Sequence, residues 1–120
     1  MKHILLVDDD EDMLKIVSRW LERGGYEVSA VTSGRAALNS ISEKAPDIIL
    51  LDYGMPDMDG PATLNAIREN DSSKNIPVLF RTGKDDTSSQ EIMENCRPAG
   101  VISKAEGKPK LLAAIAEILN

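Results

Sequence analysis

The sequence predicts an α/β domain built on a parallel sheet with helices on both faces, and three observations carry that expectation. Apolar runs at residues 4–7, 48–51 and 78–80 are short, continuous and end on polar residues, as strands buried on both faces do. Segments with helical spacing lie between and after them. The chain is 120 residues long, enough for one core but not two, so residues 1–120 are expected to form a single domain.

The elements follow in order. After the first apolar run, Met13, Leu14, Ile16, Val17, Trp20 and Leu21 are spaced for the inner face of a helix, which Gly24 and Gly25 stop. Tyr26, Val28 and Ala30 alternate with Glu27 and Ser29, a second strand. Ser33 is placed to cap a helix through Ala36, Ala37, Leu38 and Ile41 that ends before Pro46. The third strand, 48–51, precedes Asp59-Gly60-Pro61, which opens a helix with Leu64 and Ile67 inward and Pro61 in its first turn. Pro77 introduces the fourth strand. A helix is expected over 86–96, a short strand over 101–103, and a last helix from Pro109 with Leu111, Leu112, Ile115, Ile118 and Leu119 on one face. Five strand–helix repeats with right-handed crossovers give a doubly wound sheet.

Composition narrows the function. Lys and Arg total 14 against 20 for Asp and Glu, a net charge of −6, which argues against direct nucleic-acid binding or attraction to an anionic membrane. Cys96 is the single cysteine, so no internal disulfide forms and a cytoplasmic location is expected. The first apolar run is too short for a signal peptide, and no later run is long enough to span a membrane.

The chemistry gathers at strand ends. In a doubly wound sheet, ligands sit beyond the carboxyl ends of the strands, where strand order reverses. Asp8 and Asp9 follow the first strand and Asp52 follows the third. One Asp after a strand is commonly only a turn or a helix cap. Three converging from distant parts of the chain would repel one another without a cation. All-oxygen ligands favour Mg²⁺, with Mn²⁺ the alternative ion. An EF-hand loop over Asp8, Asp10 and Asp12 would need Gly where Met13 stands and Glu where Arg19 stands. A haloacid-dehalogenase-type phosphatase expects a small hydroxyl or Val where Asp12 stands. No Walker loop or GxGxxG is present. Asp10, Glu11 and Asp12 suit instead the first turn of the following helix.

The segments VDDDED, DIILLDYGMPDMDG, PVLFRTG and AGVISK resemble, in order and over essentially the whole chain, the receiver domain of two-component response regulators. Thirty residues separate Asp52 from Thr82 and 22 separate Thr82 from Lys104, spacings shared with that family. The resemblance implies a flavodoxin-like sheet of order 2-1-3-4-5. It implies that Asp52 accepts a phosphoryl group from the phosphohistidine of a sensor histidine kinase or a histidine phosphotransfer protein. Asp9, Asp52 and the Gly54 backbone carbonyl would bind the metal directly, and Asp8 largely through water. Lys104 would pair with Asp52 and then with a phosphoryl oxygen. Thr82 would donate its hydroxyl and move inward as the switch, and Gly83 would leave room for the phosphoryl group. Lys108, which precedes Pro109, is the alternative to Lys104, since the family usually carries a Lys-Pro pair. The domain would catalyse its own phosphorylation and dephosphorylation without turning over an external substrate. Its signal would pass to a downstream protein partner or a detached output domain through the last helix and residues 84–102. A receiver-like interaction module independent of phosphorylation is the alternative.

Several positions depart from the family pattern. Ala105 replaces the Pro that often follows the Lys in a cis bond; a cis bond to Ala would cost ~2.5–4 kcal/mol, so this loop is expected to be trans. Val101 stands at the output-switch position, where Tyr or Phe is usual. Arg81, before the switch Thr, stands where the family has a small or apolar residue. Gly54 and Lys84 occupy positions that tune dephosphorylation in the family.

Overall fold

In the computed structural model, which describes residues 1–83, 86 and 88–120, the three apolar runs become the middle strands of a five-stranded parallel sheet. The elements are β1 (His3–Val7), α1 (Glu11–Arg23), β2 (Glu27–Val31), α2 (Gly34–Glu43), β3 (Ile48–Asp52), α3 (Gly60–Glu69), β4 (Val78–Thr82), α4 (Ser89–Cys96), β5 (Gly100–Ser103) and α5 (Lys108–Leu119). The strand order is β2-β1-β3-β4-β5. Every pairing is parallel, so the doubly wound architecture and the 2-1-3-4-5 order are as expected.

Strand alternation divides the core into two layers. Leu5, Val7, Ile49, Leu51, Val78 and Phe80 pack with Ala37, Ile41, Leu64, Ile67 and Ile92 on the α2–α4 side. Ile4, Leu6, Ile48, Leu50 and Leu79 pack with Leu14, Val17, Leu21, Leu111 and Ile115 on the α1/α5 side. Both faces of β1, β3 and β4 are therefore dry, which is why those strands read as unbroken apolar runs. Each buried Leu or Ile contributes about 1.5–3 kcal/mol.

Helix starts follow the polar residues picked from the sequence. Asp10 caps α1 by accepting the N–H groups of Asp12 and Met13 at 3.0 and 3.2 Å. Ser33 caps α2 through the Ala36 N–H at 3.1 Å, and Asp59 caps α3 through that of Ala62 at 2.9 Å. Such caps stabilise a helix by about 1 kcal/mol each. Gly60 sits where no side chain fits. A Cβ there would lie 2.8 Å from the Phe80 ring and the Tyr53 Cα, and 2.9 Å from the Asp52 carbonyl oxygen. That close approach draws the start of α3 against the end of β3.

Some expectations need correction. Ile16 does not face the core: it is 46% exposed, because it lies roughly opposite Leu14 on the helix. Tyr26 precedes β2, and β4 runs two residues further than its apolar core, through Arg81 and Thr82. The expected 86–96 helix is α4 from Ser89. Residue 87 of that stretch and Lys84 lie outside the described residues. No peptide bond is cis among the described residues, so the link from Lys104 to Ala105 is trans. No helix among the described residues is long and apolar enough to cross a membrane.

Candidate functional site

Parallel strands all point their carboxyl ends the same way, so residues ending β1, β3, β4 and β5 meet at one edge. Asp8 directly follows β1, and its N–H continues the ladder to the Val31 carbonyl at 3.2 Å. Its Oδ1 accepts the Asp10 N–H at 2.9 Å, which turns the chain into α1. Asp52 is the last residue of β3, with Oδ1 accepting the Gly54 N–H at 3.3 Å. Asp9 is exposed, whereas Asp8 and Asp52 are only 1% and 3% exposed. One carboxylate oxygen from each of the three lies within 4.8 Å of the others.

Among the described residues, two cations face this cluster. Lys104, whose N–H bonds the Thr82 carbonyl at 2.8 Å, places Nζ 3.0 Å from Asp52 Oδ2 and 3.4 Å from Asp8 Oδ2. Lys108 instead lies in the first turn of α5. The second cation is Arg81. It is 3% exposed and its NH1 is 3.8 Å from Asp8 Oδ2. Arg81 is the register partner of Asp52 across β3 and β4. By alternation it shares the α1/α5 side with Leu79, the side on which Asp52 follows Leu50.

Charge is close here but not fully satisfied. Asp8 Oδ2, Asp52 Oδ2, and Nε and NH1 of Arg81 are buried without an aligned hydrogen bond, so ion-pair attraction rather than directional bonding holds them. Burial pushes the Asp52 carboxyl up to about 6; Lys104 opposes the rise, and Asp8 and Asp9 add to it. Burial alone would pull Lys104 down, but Asp52 and Asp8 outweigh it and leave its pKa raised. Burial lowers the pKa of Arg81 against the attraction of Asp8 and Asp52. An all-oxygen set with two shielded, unbonded carboxylate oxygens suits a hard divalent cation, so Asp8, Asp9 and Asp52 could hold a metal ion.

The remaining candidates lie close by. Thr82 ends β4 almost fully buried and pairs in register with Ser103. Gly83 donates its N–H to Asp86 Oδ2 at 2.6 Å. A Cβ at Gly54 would come 2.8 Å from Asp86 Oδ1, so the Asp86 carboxylate bridges the loops after β3 and β4. Val101 is half-buried, pairs with Phe80 and packs against the α2–α4 layer. Sequence reasoning noted Arg81 only as unusual and overlooked Asp86. A charged residue in an otherwise apolar strand, two places after an inward Leu, was the available signal for Arg81. Asp86 carried none, because it reaches the site only through loop geometry.

Comparison with known proteins agrees with this geometry. A family model for the response regulator receiver domain matches residues 4–116. A probable cyclic di-GMP phosphodiesterase of Vibrio cholerae serotype O1 is 36% identical over 89 residues, covering 74% of this chain and 20% of that protein. The transcriptional regulatory protein PrrA of Mycobacterium tuberculosis is 40% identical over 84 residues, covering 69% of this chain and 36% of PrrA. The chain thus matches only a minor part of the length of these curated relatives. The solved structure of chemotaxis protein CheY4 of Vibrio cholerae superposes with a TM-score of 0.90 at 28% identity, covering 99% of both chains.

Proposed function

The chain belongs to the response regulator receiver domains of two-component systems, and on that footing we propose that residues 1–120 form one phosphoacceptor domain whose nucleophile is Asp52. Membership implies interaction with histidine kinases and downstream effectors; the phosphodonor is a phosphohistidine on a sensor kinase or a histidine phosphotransfer protein. The observation that carries the reading is the convergence of Asp8, Asp9 and Asp52 with Lys104 at the carboxyl edge of the sheet.

In the reaction an Asp52 oxygen attacks phosphorus, the new O–P bond forms as the N–P bond to the donor imidazole breaks, and the imidazole leaves with that electron pair. With a carboxyl at about 6, Asp52 is mostly ionised at neutral pH and ready to attack. Lys104 positions it beforehand and then pairs with a phosphoryl oxygen. The Thr82 hydroxyl donates to another, and the absence of a side chain at Gly83 leaves space for the group. Asp8, Asp9, Asp52 and the Gly54 carbonyl would hold Mg²⁺ or Mn²⁺, which supplies positive charge against the repulsion between a carboxylate and an incoming phosphoryl group. Movement of Thr82, with Val101 beside Phe80 as the adjoining position on β5, then alters a protein-binding face.

The test is incubation with Mg²⁺ and acetyl phosphate followed by intact-protein mass spectrometry. A phosphate-sized mass gain in the parent, absent in Asp52→Asn, supports the reading. No gain in the parent would favour a receiver-like module that binds partners without phosphorylation.

A further inference from the structure

The receiver chemistry just described uses one lysine as its cation, yet this chain buries a second cation against the same carboxylates. Arg81 is 3% exposed, its NH1 is 3.8 Å from Asp8 Oδ2, and its Nε and NH1 have no aligned acceptor. A guanidinium is seldom buried without a reason, because taking it out of water is costly unless nearby charge compensates. The compensating charge is the site itself: Asp8 beside it and Asp52 opposite it in the sheet.

Charge balance shows what the extra cation does. Asp8, Asp9 and Asp52 carry three negative charges, and Lys104 alone would leave two, matching a divalent cation. Arg81 removes one further negative charge from what these three carboxylates, with the Asp86 carboxylate at the rim over Gly54, offer a divalent cation. Converting the Asp52 carboxylate to an acyl phosphate dianion adds one negative charge back.

We propose that Arg81 is a built-in counter-ion of the carboxylate cluster, weakening divalent-metal binding to the unphosphorylated site. The inference rests on the metal-assisted receiver reading. It adds that Arg81 acts through Asp8 as a positioning residue. Guanidinium and metal share the Asp8 carboxylate, so metal entry must loosen the Arg81–Asp8 contact.

Isothermal titration of metal-free protein with Mg²⁺ tests this in the parent, Arg81→Met and Arg81→Lys. Arg81→Met keeps a long apolar stem in the buried position, and circular dichroism checks its fold. It is expected to bind Mg²⁺ about tenfold more tightly than the parent, while Arg81→Lys, which keeps the charge, stays within about threefold of the parent. A second readout needs no variant: the Arg81 Nε–H resonance of the parent should shift on Mg²⁺ titration together with the backbone amides of Asp9 and Gly54. Unchanged or weaker Mg²⁺ affinity in folded Arg81→Met overturns the proposal. So does an Arg81 resonance indifferent to saturating Mg²⁺ while those amides move, which decides the matter even if Arg81→Met fails to fold. Failure of the parent and both variants to bind Mg²⁺ would remove the metal reading and this inference together. Loss of phosphorylation with normal Mg²⁺ binding would remove only the phosphoacceptor reading.

Discussion

Lys104 Nζ stands 3.0 Å from Asp52 Oδ2 and 3.4 Å from Asp8 Oδ2, so one ammonium group ties together carboxylates at the ends of two different strands. Removing it takes away the attraction that holds the Asp52 carboxyl down against burial. In Lys104→Met the Asp52 pKa is expected to climb above about 6, as read from its side-chain carboxyl carbon by NMR. Phosphorylation by acetyl phosphate should slow by about tenfold or more. Lys108→Met should leave both unchanged, and a shifted Asp52 titration in that variant would reopen the choice between the two lysines.

Stability should depend on pH in a definite direction. Asp52 titrates higher in the fold than the ordinary aspartate value of 3.8, so folding favours its protonated form. That contribution is fully present below the unfolded pKa and is lost as pH rises through about 6. Ionised Asp52 is therefore a liability in metal-free protein at pH 7.5. Asp52→Asn should melt at a higher temperature than the parent in EDTA at pH 7.5, and the gap should narrow by pH 5. A gap that widened on acidification would contradict the raised value.

The loop after β3 depends on Gly60. A methyl group there meets the Tyr53 Cα and the Asp52 carbonyl oxygen, backbone atoms that cannot swing aside as a side-chain tip can. Gly60→Ala is expected to lower stability by roughly 1–3 kcal/mol in urea unfolding. Because the strain falls on Asp52 itself, phosphorylation should decline more than the loss of folded protein explains. Wild-type stability in this variant would mean that α3 can back away from the sheet freely.

Asp86 offers a different handle. Its carboxylate takes the Gly83 N–H at 2.6 Å and lies over Gly54, presenting negative charge beside the position assigned to an incoming anion. Asp86→Ala should accelerate phosphorylation by acetyl phosphate about threefold to tenfold. It should also speed hydrogen exchange at the Gly83 amide. Slower phosphorylation would show that Asp86 helps the reaction rather than guarding the site.

Much of this was readable in the chain, for physical reasons that also mark where reading stops. Strands buried on both faces advertise themselves, so β1, β3 and β4 stood out from their apolar residues. Ser33 was visible as a cap and Asp59 as the opening of a helix because capping is local and needs only the following turn, whereas Asp10, expected in the first turn of α1, is its cap. Asp8, Asp9 and Asp52 followed from strand ends together with the rule for parallel sheets. Ile16 misled because an apolar residue next to a helical stripe need not belong to it, and single exposed apolar residues are common. The ends of β4 were missed because its ladder continues through Arg81 and Thr82 on backbone bonding alone. Arg81 and Asp86 entered the site through tertiary placement: one needed the register of two strands, the other the fold of two loops.

Strand alternation has a last consequence at the carboxyl edge. Asp8, Asp52 and Arg81 fall on the α1/α5 side, whereas Thr82, one residue beyond Arg81, falls on the side of Phe80 and α4. Neighbours along one strand thus look into different rooms. The charged groups gather in the one lined by α1 and α5, while Thr82 faces the other, where Phe80 and Val101 pack. The sheet is the wall between them, and the single step along β4 from Arg81 to Thr82 passes from one side of it to the other.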